Sequence, residues 1–326
     1  EKQEQWLAVY TNHQLRAEVE FQRALLLDQG GERTNALRLF TNLVAEFPRH
    51  SLAPAAQNWV ADYYYDQEQW LAAEQHYQRL FQNTNWAGTK FHFQARMMAA
   101  RSAFFRQGYD DARSYLTNII QDPKCPPDLL PEAWFALGDV TVEQPIVGTT
   151  NNVFNFSEAA RIFNRVVTQF PTNRLALLAQ ARKGDCHSQL AANYPDSFGV
   201  AQESYRAVLA QKPPVVPVLA HNRAEVGLAL LLKRSAENRP PEEREKLLRE
   251  ALNYLLNVVY GTNLNGEAPD PFFLKLAGME AGRIAETLGD NSAALELYRR
   301  LIQTAPSLRT FWESRMASLR QRVAAR

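Results

Sequence analysis

The chain repeats one helical spacing seven times, and this repeat limits its fold more than any other feature of the sequence. Each copy has an alanine, with Phe, Tyr or Leu four residues after the alanine and Leu, Ile or Val seven residues after the alanine. The seven alanines, called anchor alanines below, are Ala36, Ala73, Ala112, Ala159, Ala201, Ala251 and Ala294. Positions i, i+4 and i+7 lie on one face of an α-helix, so each copy predicts a helix with one buried face.

The ends of these anchored helices recur as well. A proline lies twelve residues after four of the anchor alanines and eleven residues after a fifth. The five prolines are Pro48, Pro123, Pro171, Pro213 and Pro306. Proline cannot continue a helix and restricts the residue before it, so each anchored helix is predicted to end there. Asn85 and Asn263 occupy this place in the other two copies, and asparagine accepts the left-handed conformation common at helix ends.

A further helix is predicted before each anchored helix, so that the chain forms helical hairpins. These first helices contain a small residue near their middle, namely Ala61, Gly138, Gly184, Gly227 or Gly282. A glycine inside a helix costs about 1 kcal/mol relative to alanine, so it needs a packing reason. We expect the anchor alanine of the second helix to pack against this small position of the first.

These motifs resemble the tetratricopeptide repeat, whose signature is W-x-x-L-G, then G-x-Y, then A-x-x-x-F, then proline. Trp134, Leu137 and Gly138 match the first part of the signature. Most of the remainder is matched within one repeat by Gly282, Gly289, Ala294, Tyr298 and Pro306. The resemblance implies an all-α fold, a right-handed α-solenoid of about seven helical hairpins followed by a capping helix that covers the last apolar face.

The whole chain, residues 1–326, is predicted to be one such domain. The hairpins are expected near 6–48, 51–85, 88–123, 127–171, 173–213, 215–263 and 270–306, with the capping helix at 307–326. Residues 141–156 are polar and rich in Thr and Asn, and they predict a long connector in place of a tight turn.

The anchor alanines are 37 to 50 residues apart, longer than the usual repeat of about 34. With the Phe-Pro endings at Phe47-Pro48 and Phe170-Pro171, this spacing resembles bacterial envelope repeat proteins, namely outer-membrane assembly lipoproteins and Tol-associated periplasmic coordinators. That resemblance implies a bacterial periplasmic or outer-membrane-associated location in preference to the cytoplasm.

Composition excludes several other classes. The net charge is +1, so the chain has no general electrostatic attraction to nucleic acid or to an anionic membrane. Its apolar runs, such as residues 226–232, are far shorter than the roughly 18 residues of a membrane span. Two cysteines, Cys125 and Cys186, are too few for a disulfide framework, and two reduced thiols are expected.

The predicted binding surface comes from the residue that follows the small position of each first helix. In tetratricopeptide repeats this offset faces the concave surface. Here it holds Asp62, Asp139, Asp185, Leu228 and Arg283. Tyr65 lies one turn after the first of these and is added as a binding candidate. The expected function is a non-catalytic scaffold that binds a protein or peptide partner in a concave groove, without cofactor, metal or nucleic acid.

Two alternatives remain open from the sequence. One is a structural spacer or assembly subunit of a bacterial envelope complex. The other is an α/α-toroid enzyme that processes glycans, which needs two carboxylates about 5–9.5 Å apart. The first-helix aspartates could supply those carboxylates. A metal site at Cys186-His187 is disfavoured, because adjacent helical side chains point about 100° apart.

Overall fold

The computed structural model describes residues 2–10, 13–145, 152–211, 217–262, 264, 266–304, 306 and 309–324. Two compact units are present, Glu1–Gln144 and Pro145–Arg326. All regular structure in the described ranges is helical, without a strand, which confirms the all-α prediction. None of the helices in these ranges is both long and apolar enough to cross a membrane. No disulfide joins Cys125 to Cys186.

The amino-terminal unit is a series of helical hairpins. Its helices are α1 (Lys2–Val9), α2 (Arg16–Gln29), α3 (Arg33–Glu46), α4 (Ala53–Asp66), α5 (Trp70–Gln82), α6 (Phe91–Phe105), α7 (Tyr109–Gln121) and α8 (Leu130–Glu143). A short 3-10 turn, Thr84–Trp86, lies between α5 and α6. Consecutive helices pack against each other, so that each hairpin shares its core with the next hairpin of the unit.

The carboxy-terminal unit has the same construction. Its helices are α9 (Val153–Gln169), α10 (Leu175–Leu190), α11 (Asp196–Leu209), α12 (Val218–Ala236), α13 (Pro241–Tyr260), α14 (Pro271–Thr287), α15 (Asn291–Thr304) and α16 (Arg309–Ala324). Its largest apolar cluster joins α10 to α15, and a second cluster holds α16 against α14 and α15.

The buried face predicted from the repeat is confirmed. Every anchor alanine is 0% exposed, and every side chain four or seven residues later is at most 3% exposed. Helices α3, α7, α9 and α15 each end two residues before the predicted proline. Pro213 and Asn263 lie outside the described residues, as do residues 146–151 of the predicted connector and residues 307, 308, 325 and 326 of the predicted capping helix.

Asn85 departs from the expectation of a left-handed helix end. It lies in the 3-10 turn, and its backbone N–H donates to Asn83 Oδ1 at 3.0 Å. Asn83, in extended conformation, ends α5 instead. Gly261, with φ of 67°, is the left-handed residue that ends α13. The side chain of Asn83 therefore stabilises the turn that follows α5, by accepting a hydrogen bond from the backbone of Asn85.

A left-handed residue recurs in the turn inside four hairpins, five residues before the anchor alanine. These residues are Gly31 (φ 83°), Glu68 (φ 56°), Gln107 (φ 65°) and Gly289 (φ 80°). In all four turns the next backbone N–H donates to a carbonyl five residues back, as in Gly108 N to Ala103 O at 2.8 Å. This is the helix-ending hydrogen bond of the Schellman motif, which glycine accommodates without strain.

Gln107→Gly should therefore stabilise the protein by about 0.5–1 kcal/mol, because it removes left-handed strain from a residue with a β-carbon. The reciprocal change, Gly289→Gln, should destabilise it by a similar amount. A methyl group at Gly289 meets no heavy atom within 4 Å, so its cost comes from the backbone alone. Urea melts of both variants measure the effect, and shifts of the same sign in both would contradict it.

Ala294→Leu should lower the free energy of unfolding by about 1–3 kcal/mol, because Ala294 is 0% exposed and its site has no room for a larger side chain. The matched control is Glu296→Leu, on the exposed surface of the same helix, where the change should stay within about 0.5 kcal/mol. Denaturant melts compare the two variants. Equal stability would show that the anchor position is not tightly packed.

Candidate functional site

Two of the predicted groove aspartates accept hydrogen bonds from buried tyrosines of their own hairpins. Asp62 Oδ1 accepts from the Tyr77 hydroxyl at 2.5 Å. Asp185 Oδ1 accepts from the Tyr205 hydroxyl at 2.8 Å, and its Oδ2 accepts from Arg223 at 2.7 Å. Both tyrosines lie four residues after an anchor alanine. In these two hairpins the residue after the small position therefore turns toward the second helix.

This orientation corrects the prediction for Leu228, which was expected to be an apolar anchor in the groove. Leu228 is 0% exposed and packs in the same core cluster as Leu255, the residue four after its anchor alanine. A ligand cannot reach Leu228 in this structure.

The other predicted groove residues lie in different surroundings. Tyr65 packs edge-to-face against Trp70, Tyr77 and Phe105, with ring centroids 5.1–6.5 Å apart. Asp139 is half-buried on α8, in the amino-terminal unit. Arg283 is exposed in the carboxy-terminal unit and forms an ion pair with Glu280 at 2.7 Å. The six candidates are thus divided between the two units.

Burial and the tyrosine contact shape the chemistry of Asp62. Burial raises the pKa of Asp62, although the hydrogen bond from Tyr77 acts in the opposite direction. Burial also raises the pKa of the Tyr77 hydroxyl, and the neighbouring carboxylate adds to this shift. The tyrosine therefore keeps its proton, and its hydroxyl donates a structural hydrogen bond to the aspartate inside the hairpin.

Three of the small positions of the first helices, all of them glycines, lie against a tyrosine ring. A methyl group at Gly184 would lie 2.7 Å from Tyr205 Cε1, and one at Gly227 would lie 2.4 Å from Tyr205 Cζ. A methyl group at Gly282 would lie 2.3 Å from Tyr298 Cε1. These glycines make room for a tyrosine that lies four residues after an anchor alanine, namely Tyr205 or Tyr298.

The amino-terminal unit contains a cleft of about 520 Å³ between α3 and α5, with α4 as its floor. We call it the α3–α5 cleft. Its lining residues are Thr41, Val44, Ala45, Pro48, Gln57, Val60, His76, Arg79, Gln82, Asn83 and Trp86. Apolar side chains line much of it, and a small number of polar groups lie among them. Such a combination is typical of sites that bind small molecules or short peptide segments.

Hydrogen bonds fix the polar lining. Gln57 Nε2 donates to the backbone oxygen of His76 at 2.8 Å and lies 3.1 Å from His76 Nδ1. The His76 ring stacks on Tyr64, with centroids 4.9 Å apart and an interplanar angle of 12°. Trp86 Nε1 donates to the Pro48 carbonyl at 2.8 Å. The side chains around the cleft are thus held in place before any ligand arrives.

His76 is held neutral in this setting. Burial lowers its pKa to about 4, and the Arg79 charge acts in the same direction. Because the backbone oxygen of His76 requires a donor, the Gln57 amide nitrogen must face it. The same nitrogen then faces Nδ1, so Nδ1 accepts and the proton lies on Nε2. A protonated ring would lose this hydrogen bond.

Protonation of His76 should therefore destabilise the protein at acidic pH. An unfolded histidine has a pKa of about 6.5, so the unfolded chain binds this proton first as the pH falls. The neutral ring makes its full contribution to the free energy of unfolding above pH 6.5. This contribution is lost as the pH falls toward about 4. We expect a loss of about 1–2 kcal/mol, reduced by partial solvent exposure.

The measurement is the difference in unfolding free energy between pH 7 and pH 4.5, by urea denaturation, for the protein and for His76→Gln. His92 and His187 also have lowered pKa values because of burial, so both proteins should lose stability. The variant should lose less. An equal loss in both proteins would show that His76 does not contribute.

Arg79 gives the α3–α5 cleft a positive charge. Its side chain is exposed, and it forms no ion pair among the residues that the structure describes. None of the lining residues is Asp or Glu. By contrast, Arg33 pairs with Asp66 at 2.8 Å, and Arg106 pairs with Glu74, in the same unit. The cleft thus combines an apolar floor with an arginine that has no internal acidic partner.

Sequence reasoning did not identify this cleft. Its residues come from three helices, the 3-10 turn and two connecting positions, Pro48 and Asn83, and none of the candidate groove residues lines it. A weak signal exists in α5, where His76, Arg79 and Asn83 follow the spacing of one helical face beside the buried one. That signal alone does not separate a cleft from an ordinary solvated face.

Comparison with known proteins agrees with this architecture. A family model for the tetratricopeptide repeat matches residues 21–85, which include nearly all of the α3–α5 cleft. A crystal structure of the C-terminal part of a TPR repeat-containing protein from Cytophaga hutchinsonii superposes with a TM-score of 0.53 at 13% identity. The match covers 88% of this chain and 95% of that chain.

Two more distant structures, both 13% identical to this chain, are IFIT1 with Gppp-AAAA and Naa15/Naa10 bound to HypK. They cover 88% and 98% of this chain and 69% and 62% of their own. Their TM-scores of 0.33 and 0.24 are too low to carry an argument. A comparison with curated protein sequences gives no match. Residues 21–85 are thus similar to a tetratricopeptide repeat, and the chain shares the helical-repeat fold of a TPR repeat-containing protein.

Proposed function

We propose that this protein is a non-catalytic interaction scaffold, and that its α3–α5 cleft binds a peptide segment of a partner protein. The cleft itself carries the proposal. Its volume of about 520 Å³ falls within the range of about 300–1,000 Å³ found for ligand sites. It lies in the segment that matches the tetratricopeptide repeat. Repeat proteins of this kind use their extended surfaces for binding.

The fixed lining supports this function. Trp86 is 4% exposed and Gln57 is 4% exposed, and both are hydrogen-bonded to neighbouring helices or turns. Binding to a site that is already ordered avoids the entropic cost of immobilising its side chains, which is about 0.5–1.5 kcal/mol for each flexible group. A short segment can therefore bind with useful affinity although it covers little area.

The concave groove predicted from the sequence is less well supported. Asp62 and Asp185 already accept hydrogen bonds from buried tyrosines, and Leu228 is buried. These contacts favour a structural role for the two aspartates over binding or catalysis, so they also weaken the glycan-processing alternative. The single seven-hairpin domain and the resemblance to bacterial envelope proteins stay predictions from the repeat spacing.

The test is selection of binders from a random twelve-residue peptide display library on the immobilised full chain, followed by affinity measurement with the synthesised peptides. Ala45→Trp should abolish binding, because Ala45 is an exposed lining residue and the indole would fill the cleft. The matched control is Ala317→Trp, at an exposed alanine on α16. If no peptide is enriched, or if both variants bind like the original protein, the proposed function is wrong.

A further inference from the structure

We infer that the α3–α5 cleft selects an acidic peptide segment, with an Asp or Glu carboxylate paired to Arg79 and an adjacent apolar side chain on the floor. This inference rests on the proposed function and specifies the chemistry of the partner. Nothing in the sequence singled out the cleft, and the comparisons assign no ligand to it. The partner is defined by its chemistry alone, a protein segment that combines negative charge with a small apolar group.

Arg79 gives the cleft its positive charge. Its side chain is exposed there, and the lining contains no carboxylate to neutralise it. By contrast, Arg33 and Arg106 of the same unit are each paired with an acidic residue. A guanidinium presents several N–H donors in one plane and binds a carboxylate through two parallel hydrogen bonds. A ligand carboxylate would supply the partner that Arg79 lacks within the described structure.

The polar part of the lining consists mainly of hydrogen-bond donors. His76 is neutral, so Arg79 supplies the positive charge, and the proton of His76 lies on Nε2 as a donor. The amide groups of Gln82 and Asn83 lie beside Arg79 in the lining. The set can donate several hydrogen bonds and contains no anionic acceptor. Such a set suits a carboxylate better than an ammonium or guanidinium group, which would face Arg79 without compensation.

The apolar part of the lining would contact the rest of the bound segment. Val44, Ala45 and Pro48 form one wall, Val60 lies on the floor, and the Trp86 ring is held by its hydrogen bond to Pro48. These groups cannot satisfy a polar side chain, so they favour an apolar residue. A free acidic small molecule would leave this surface uncovered. A peptide with an apolar residue near its Asp or Glu covers both parts of the cleft.

The experiment uses the twelve-residue peptides recovered from the display library. The tightest peptide that is blocked by Ala45→Trp is synthesised in three forms, with its acidic residues intact, replaced by Gln or Asn, or replaced by Lys. Each form is titrated against the full chain, Arg79→Gln and Arg299→Gln. Arg299 is an exposed arginine on α15 outside the cleft, so its replacement changes the net charge equally.

The acidic form should bind about tenfold more tightly than the neutral form, as expected for a charge-assisted hydrogen bond. Arg79→Gln should remove this difference, whereas Arg299→Gln should keep it. Higher salt should weaken only the acidic form. If cleft-binding peptides prove neutral or basic, or if Arg79→Gln leaves the difference unchanged, the inference is overturned while the proposed function stands. If Ala45→Trp blocks no peptide, the proposed function fails and the inference fails with it.

Discussion

Tyr205→Ala should lower the free energy of unfolding by about 3–5 kcal/mol, one of the largest losses expected for any single substitution in this protein. The side chain is 1% exposed, and its ring fills the space left by Gly184 and Gly227 on two different helices. Because Gly184 and Gly227 have no side chains, these two walls cannot relax to fill the cavity. The loss should therefore lie toward the upper end of the range for aromatic truncations.

Two controls separate the parts of this effect. Tyr205→Phe keeps the ring and removes the hydroxyl that donates to Asp185, so it should cost only about 0.5–1.5 kcal/mol. Tyr194→Ala removes a tyrosine that is 54% exposed and should change stability by about 0.5 kcal/mol or less. The measurement is urea denaturation followed by circular dichroism. A loss below about 1 kcal/mol for Tyr205→Ala would contradict the packing described here.

Trp312→Ala should cost about 3 kcal/mol and release α16 from the carboxy-terminal unit. Trp312 is 2% exposed and stacks on Tyr298, with ring centroids 5.5 Å apart. Its indole N–H has no acceptor among the described residues. The substitution therefore also removes a buried donor without a hydrogen bond, which offsets part of the lost packing energy and keeps the loss at the lower end of the range. The ion pairs of Glu286 with Arg315 and Arg322 are too exposed to hold the helix alone.

The adjacent residue gives the matched control. Phe311 lies on the same helix and is 51% exposed, so Phe311→Ala should cost less than about 1 kcal/mol. Limited proteolysis should cut Trp312→Ala within α16 before the rest of the unit is attacked, whereas Phe311→Ala should resist like the original protein. Equal resistance of both variants would contradict a capping role for α16.

The fold was predictable because its determinants are periodic. The anchor alanines and the residues four and seven positions later define the buried face of each second helix, and all of them are buried as expected. The prolines mark four described helix ends to within two residues. The left-handed turns were harder to see, because only Gly31 and Gly289 show a glycine. Glu68 and Gln107 hold the same conformation under tertiary constraint.

The binding site was much less predictable, and Leu228 shows the reason. Its predicted place in the groove follows from a family offset, which takes no account of the residues that face it. Asp62 accepts a hydrogen bond from Tyr77, whereas Leu228 lies in the same apolar cluster as Leu255, so the same offset leads to different surroundings in different hairpins. The α3–α5 cleft could not be predicted from the sequence, because its volume depends on how the second helices α3 and α5 pack against the first helix α4 between them.

Tyr205 also determines how this protein could be cut into exchangeable modules. One ring closes the hairpin of α10 and α11 at Gly184 and simultaneously docks on Gly227 of α12. The Asp185 carboxylate likewise binds both the Tyr205 hydroxyl and Arg223 of α12. A chimera joined in the loop between α11 and α12 would separate Gly184, Asp185 and Tyr205 from Arg223 and Gly227, so it keeps the shared contact only if both parents have these residues. A junction in the turn between α12 and α13 leaves the contact intact, so the smallest exchangeable unit here is the three helices α10, α11 and α12 rather than one hairpin.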